Sequence, residues 1–172
     1  MKTRMMVTAL AALVMGSLSS STARAQEGIM VGAEAPAAAV ETLDGMKTDL
    51  SRFYGEKPVV LEFWATWCPL CKKLEPQLEA ARQKYAGKVT FVGVGVSANQ
   101  SPDAQKDFVM KGHMSGEYVF DRDNAAQKAF AAPHTSYIVV IGKDKKVVYT
   151  GVGPEQDIDA AVQKVMMMKG AM

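Results

Sequence analysis

The chain has 172 residues, of which 48% are hydrophobic, 20 are lysine or arginine and 18 are aspartate or glutamate. This length and apolar content suffice for one well-buried domain and are too small for two large ones. The near balance of charges leaves no strongly basic surface, so nucleic acid is excluded as an expected partner.

The first 25 residues have the features of a secretory signal peptide. Lys2 and Arg4 form a basic start, residues 5–18 are mostly apolar, and residues 23–25 read Ala-Arg-Ala, an A-x-A cleavage signal. The apolar run is shorter than a bilayer-spanning helix, so we expect cleavage and no stable membrane insertion. An uncleaved N-terminal anchor is the alternative. Export predicts a periplasmic or otherwise extracytoplasmic protein, in a compartment where disulfides persist.

Residues 26–172 are predicted to form a single domain in which strands and helices alternate. Residues 26–36 are small and polar, which predicts a loose lead-in, and residues 39–53 predict a hairpin that turns at Asp44-Gly45. The other predicted elements follow in chain order: an apolar strand at 57–65, a helix at 68–85, a buried strand at 89–97, a helix from Ser101-Pro102 to about Lys111, a short strand at 118–120, a short helix at 125–130, two strands joined by 143–146, and a closing helix at 155–168. This order predicts an α/β domain with parallel inner strands and antiparallel edge strands contributed by the last hairpin.

The two cysteines, Cys68 and Cys71, follow the apolar strand and are separated by two residues. As a structural disulfide, so short a loop contributes about 2 kcal/mol, and a domain with its own core has little need of it. As a zinc site, the pair supplies two of four ligands, and the chain has no second C-x-x-C and only His113 and His134. We therefore interpret the pair as a redox couple.

A mechanism supports this interpretation. Pro69 favours the first helical turn, which places Cys68 at or beside the N-cap and Cys71 one turn into the helix. Residues three apart share a helix face, so the two sulfurs can reach disulfide geometry. The unpaired amides and the positive dipole end of the helix favour a Cys68 thiolate. We expect Cys68 to attack a target disulfide and Cys71 to resolve the mixed disulfide.

The stretch FWATWCPLC, with Pro76 five residues after the second cysteine, resembles the thioredoxin superfamily. More closely, GAEAP, TLDG and LSRFYGEKPVVLEFWATWCPLC resemble the exported TlpA/ResA-like, redoxin-type thiol–disulfide oxidoreductases. The resemblance implies a thioredoxin fold, with a central mixed sheet flanked by helices and an N-terminal β-hairpin extension. It implies reduction of disulfides in exported proteins, as in cytochrome c maturation, and re-reduction by a membrane thiol donor. We expect a monomer without bound metal and without a cofactor other than the Cys68–Cys71 disulfide.

Glu62 is a carboxylate inside the apolar strand. Such a group is costly to bury unpaired, so either its pKa is raised or a charged partner is present. The resemblance implies that Glu62 relays a proton for the Cys71 thiol. A glutamate at a strand edge that faces water is the alternative. Of the two tryptophans, Trp64 is expected to pack in the core.

The resemblance also implies a substrate-binding surface made by Trp67, Pro69, Ala132 and Pro133, with Pro133 in the cis form. The family usually has several more residues between the short helix and this proline, whereas here only Ala131 and Ala132 follow Phe130. An ordinary trans loop proline is therefore the alternative.

Two other functions stay open. A copper-handling protein would bind Cu(I) through Cys68, Cys71 and either His134 or a methionine, since thiolate and thioether ligands select Cu(I). A disulfide-forming oxidase of the same fold would use the same cysteines at a higher reduction potential. A peroxidase is disfavoured because the T-W-C context lacks the T-x-x-C spacing of peroxiredoxins.

Overall fold

The computed structural model describes residues 27–168, so the predicted signal peptide and the last four residues lie outside it. The strands are β1 (Ala39–Thr42), β2 (Lys47–Asp49), β3 (Val59–Trp64), β4 (Thr90–Val96), β5 (Glu117–Asp121), β6 (Tyr137–Ile141) and β7 (Val147–Val152). The helices are α1 (Pro69–Lys84), α2 (Pro102–Lys111), α3 (Ala125–Ala129) and α4 (Ile158–Met167). Between residues 27 and 168, none of the helices has the length and apolar character that a membrane crossing requires.

The strands form one mixed sheet in the order β2-β1-β5-β4-β3-β6-β7. Strands β3, β4 and β5 run parallel, and the predicted N-terminal hairpin extends the sheet beside β5. The predicted α/β class and mixed sheet are confirmed. The prediction that both strands of the last hairpin lie at the edge is wrong for β6, which pairs with β3 on one side and β7 on the other. Its continuous apolar run is buried throughout, as is typical of an interior strand.

The sheet separates two apolar clusters because side chains alternate between its faces. Leu61 and Phe63 of β3 point into the cluster that contains β6 residues such as Val139. Val60 points to the other face, where Leu74 and the rest of the inner side of α1 pack. Strand β3 is thus covered on both faces, and its C-terminal end delivers the chain to α1.

The N-terminal lead-in is more ordered than predicted. Within its described part, the amide of Ile29 donates a hydrogen bond to the carbonyl of Phe130 at 2.9 Å. Ala33 and Ala35 bond to the backbones of Val147 and Lys145, so the segment runs along the end of the last hairpin. The expected loose lead-in is therefore wrong for residues 29–35. Composition suggested mobility because the residues are small, but backbone pairing does not depend on side-chain size.

Candidate active site

Cys68 is the N-cap of α1 and Cys71 lies in its first turn, as predicted. Pro69 is the first helical residue, where its missing N–H removes no helical hydrogen bond. The two cysteines form a disulfide, with Cα atoms 5.4 Å apart. The amide of Cys71 donates a hydrogen bond to Sγ of Cys68 at 3.0 Å, so this sulfur receives one of the free N–H groups of the helix end.

The exposure of the two cysteines does not distinguish the attacking sulfur. Cys68 is 1% exposed and Cys71 is 6% exposed. By contrast Trp67, directly before Cys68, is 46% exposed, and Leu70 between the cysteines is exposed as well. Pro69 is also exposed, so Trp67, Pro69 and Leu70 form an apolar rim beside the disulfide. The case for Cys68 as nucleophile rests on its place at the helix N-terminus.

Trp64 has the packing role that was predicted. It is buried in a cluster with both cysteines, and its ring centroid lies 5.8 Å from that of Phe108 and 5.7 Å from that of Tyr118. The absence of a side chain at Gly93 leaves the space that the Trp64 and Tyr118 rings occupy. Trp64 thus supports the disulfide from beneath.

Glu62 is buried in the middle of β3, which has a hydrogen-bonded strand on each side. Its exposure is 3%, and its Oε1 atom has no hydrogen-bond partner among the described residues. The alternative of a strand-edge glutamate that faces water is therefore wrong. Burial raises the pKa of Glu62 to about 8, and repulsion by Glu75 adds to the rise while Arg82 opposes it. The carboxyl is able to hold a proton near neutral pH.

A pocket of about 240 Å³ connects Glu62 with Cys71. Glu62 and Cys71 both line it, so the buried carboxyl and the inner cysteine face the same space. The other lining residues are Trp64, Ala65, Lys72, Glu75, Phe108, Gly112 and Met114.

Two charged residues of α1 were missed at the sequence level. Glu75 lines the pocket, and Arg82 forms an ion pair with it, with 2.5 Å between Nη1 of Arg82 and Oε1 of Glu75. The Arg82 side chain is only 7% exposed, although charged residues on a helix are usually solvated. The seven-residue spacing that places them on one face was the available signal.

Ala132 and Pro133 differ from what the resemblance implied. Residues 27–168 contain no cis peptide bond, so the Ala132–Pro133 bond is trans. Ala131 adopts a left-handed φ of 46°, and the amide of Ala132 donates to the carbonyl of Gln127 at 2.9 Å. These features cap the end of α3, and Pro133 follows as a residue that cannot continue a helix. Ala132 packs against the apolar cluster on the face of the sheet opposite Trp64.

His134, the proposed third copper ligand, is exposed. Within residues 27–168, His, Cys, Asp and Glu side chains form no group of three or more that could hold a metal ion. The described structure therefore does not bring His134 together with Cys68 and Cys71 in a metal-binding arrangement.

The sheet order and the disulfide at the start of α1 define the class of the protein, a thioredoxin-fold thiol–disulfide oxidoreductase. The family model described as Redoxin matches residues 30–165, and the chain belongs to this family. A relative named thiol-disulfide oxidoreductase ResA, from Bacillus thuringiensis subsp. konkukian, is 31% identical over 123 residues, which are 72% of this chain and 70% of that protein. The predicted TlpA/ResA-like resemblance is confirmed.

Solved structures show the same fold. A candidate thiol:disulfide interchange protein DsbE from Chlorobium tepidum is 26% identical with a TM-score of 0.68, covering 80% of this chain and 96% of that one. A secreted Mycobacterium tuberculosis disulfide oxidoreductase, described as homologous to Escherichia coli DsbE, is also 26% identical. Its TM-score is 0.62, with 76% of this chain and 95% of that one covered.

Proposed function

We propose that this protein reduces disulfides of exported proteins through the Cys68–Cys71 couple, outside the cytoplasm. The observation that carries the proposal is the pocket shared by Cys71 and the buried Glu62, next to a Cys68 sulfur that caps a helix. The names of the ResA relative and the secreted M. tuberculosis relative support it. The predicted signal peptide at residues 1–25 supports an extracytoplasmic location.

The reaction begins with the dithiol form. The Cys68 thiolate, favoured by the amide of Cys71 and the helix dipole, attacks one sulfur of the substrate disulfide. A bond forms between Cys68 and that sulfur, the substrate S–S bond breaks, and the other substrate sulfur leaves as a thiolate that takes a proton from water. The enzyme and substrate are then joined by a mixed disulfide.

Resolution uses the second cysteine. The Cys71 thiol gives its proton to the Glu62 carboxylate and attacks Sγ of Cys68, which releases the second substrate sulfur as a thiolate. The Cys68–Cys71 disulfide forms, and two electrons have passed to the substrate. Because its pKa is about 8, Glu62 accepts and returns this proton near neutral pH. A membrane thiol donor then restores the dithiol by the reverse exchange.

The substrate-binding surface in this proposal is the part of the apolar rim that Trp67 and Pro69 form. Ala132 and Pro133 stay proposed members of the surface on the strength of the family resemblance, as a trans rather than a cis platform. The partners are disulfides of exported proteins, including a cytochrome c maturation-like substrate. The protein acts as a monomer and uses no cofactor beyond its own disulfide.

Two measurements test the proposal. The first is the reduction potential of the Cys68–Cys71 couple, which we expect near the thioredoxin value of about −270 mV. The second is reduction of an oxidised peptide that carries the C-x-x-C-H haem-attachment motif of c-type cytochromes. The reduced protein should open this disulfide, and a Cys68→Ser variant should not. A potential near −120 mV, the value typical of strong oxidants, would turn the assignment into a disulfide-forming oxidase.

A further inference from the structure

Glu62 has little direct contact with solvent through which it could exchange its proton. It is 3% exposed, strands β4 and β6 flank it, and its Oε1 atom faces no hydrogen-bonding group of the described residues. In each catalytic cycle the proposed relay takes one proton from Cys71 during resolution and supplies one during re-reduction. The pocket that Glu62 lines is large enough for several water molecules and therefore offers a route outward.

Glu75 is the acidic group that joins this pocket to solvent. It lines the pocket with Glu62, and its side chain is 27% exposed. Most of the remaining wall is apolar or small, including Phe108, Gly112 and Met114. A proton that leaves Glu62 through water in the pocket therefore meets the Glu75 carboxylate on its way to bulk solvent.

Arg82 fixes the position of Glu75. Its guanidinium bonds Oε1 of Glu75 at 2.5 Å and lies 3.5 Å from Oε2 of Glu79, which itself accepts a hydrogen bond from Ser115. The buried side chain of Arg82 is thus held by two carboxylates of its own helix, Glu75 and Glu79. Such a pair costs desolvation and adds little net stability, so a role in placing charge is a reason for its presence.

The charges that face Glu62 come from two elements. Helix α1 contributes Glu75, Arg82 and, at the pocket wall, Lys72. Strand β5 contributes the phenol of Tyr118, which interacts electrostatically with Arg82, Glu75 and Glu62. Burial raises the pKa of Glu75 and of Glu62 alike, and Arg82 opposes both shifts. Because the pKa of Glu75 is raised, the free-energy step for transfer of a proton from Glu62 is smaller than it would be to a glutamate with an ordinary pKa.

We infer that Glu75 is the group nearest solvent in a proton relay that runs from Cys71 through Glu62 to solvent. Arg82 is the residue that positions Glu75. This inference rests on the proposed function and extends it. During resolution the Cys71 proton passes to Glu62, then through water in the pocket to the Glu75 carboxylate, and from there to solvent. During re-reduction the proton moves inward along the same groups. The relay carries no electrons, which move only in the thiol–disulfide exchange.

Stopped-flow kinetics with an aromatic disulfide separate the two steps of the exchange. Release of the first aromatic thiol reports attack by Cys68 and depends on substrate concentration, whereas release of the second reports resolution by Cys71. For Glu75→Gln we expect the attack phase to keep its wild-type rate and the resolution phase to slow about tenfold near pH 7. A tenfold effect is part of the ~10²-fold that a positioned acid–base group contributes to a rate. A small proton carrier such as imidazole should restore the rate, because it enters from solvent and replaces the missing carboxyl.

Glu79→Gln is the matched control, because Glu79 also faces Arg82 from α1 but does not line the pocket. It should resolve at the wild-type rate. The resolution rate of Arg82→Lys, which keeps the charge, should lie between the rates of wild type and Glu75→Gln. A wild-type resolution rate in Glu75→Gln overturns the relay, and so does a slowed rate that imidazole does not restore or that Glu79→Gln shares. If the wild-type protein itself exchanges no disulfide, the proposed function fails instead.

Discussion

Sγ of Cys68 accepts a hydrogen bond from the backbone amide of Cys71 at 3.0 Å, inside the first turn of the helix that Cys68 caps. The same amide and the helix dipole will stabilise a negative charge on this sulfur once the disulfide is reduced. Cys71 lies inside the helix and lacks that position. This asymmetry, rather than exposure, is the reason we propose Cys68 as the nucleophile.

Cys71→Ser should therefore trap a covalent complex. We expect the variant to form a mixed disulfide with an oxidised substrate peptide in near-stoichiometric yield, because no thiol is left to resolve it. Cys68→Ser should trap little. Mass spectrometry of the unreduced mixture measures both yields, and efficient trapping by Cys68→Ser alone would reverse the assignment.

Glu62→Gln tests whether the raised pKa of the buried carboxyl makes the stability of the protein depend on pH. The pKa is about 8 in the folded protein and about 4.3 in an unfolded chain, so the folded state binds more protons between these values. The free energy of unfolding should therefore fall as the pH rises from about 4.3 to 8. Above pH 8 the Glu62 carboxyl should cause no further fall. Glu62→Gln lacks this loss, so relative to wild type it should gain about 5 kcal/mol in the free energy of unfolding between pH 4 and pH 8.5.

Denaturant unfolding of the oxidised proteins at several pH values measures this difference. Glu79→Gln serves as control, since Glu79 lies near the surface and its pKa is lowered rather than raised. Because its pKa is lowered, wild type should gain stability over Glu79→Gln as the pH rises through about 4.3, after which the difference should stay constant; this is the opposite sense to Glu62→Gln. A parallel pH dependence of Glu62→Gln and wild type would show that Glu62 does not bind its proton more tightly in the folded state.

Trp67 offers a test of the rim. Its side chain is half exposed next to Cys68, and its Nε1 donates a hydrogen bond to the carbonyl of Ala98 at 2.8 Å. Trp67→Ala should raise the KM for a peptide disulfide about tenfold, the loss of one to two kcal/mol of apolar contact, with a smaller effect on kcat. Trp67→Phe, which keeps a ring, should lie close to wild type. An unchanged KM in Trp67→Ala would remove Trp67 from the substrate-binding surface.

The parts of the site that are local in sequence could be predicted from sequence. The turn from β3 into α1 follows from an apolar run, Pro69 and the cysteine spacing, all within a few residues of one another. Glu62 was identifiable because a charge in an apolar strand is an anomaly that needs a physical reason. Glu75 and Arg82 were not, because a glutamate and an arginine on a helix look solvated until tertiary packing buries them.

The errors in prediction also have a common origin. The interior position of β6 depends on pairing with β3, more than seventy residues earlier, and a hairpin pattern does not specify a third neighbour. The trans form of Pro133 depends on how Ala131 and Ala132 close the end of α3, a backbone geometry that composition does not show. Both features are set by the path of the chain rather than by local residue preference.

Gln100 connects the loop after β4 to the turn before Cys68. Its Oε1 accepts from the amide of Thr66 at 3.0 Å, and its Nε2 donates to the carbonyl of Val96. Gln100→Ala leaves both groups without this partner, so we expect a loss of about 1–3 kcal/mol in the free energy of unfolding. Because the turn holds Trp67 and Cys68, the attack phase should also slow several-fold, while resolution by Cys71 should keep its rate.

The matched control is Gln83→Ala, since Gln83 is an exposed amide on α1 that bonds only to another side chain, Glu79, among the contacts described for it. Its unfolding free energy should change by less than about 0.5 kcal/mol and its two kinetic phases should match wild type. If the lost hydrogen bonds are the cause, the attack phase should slow by the same factor in Gln100→Gly and in Gln100→Ala. If Gln100→Ala is destabilised but attacks substrate at the wild-type rate, Gln100 supports the fold and does not position the turn that presents Cys68.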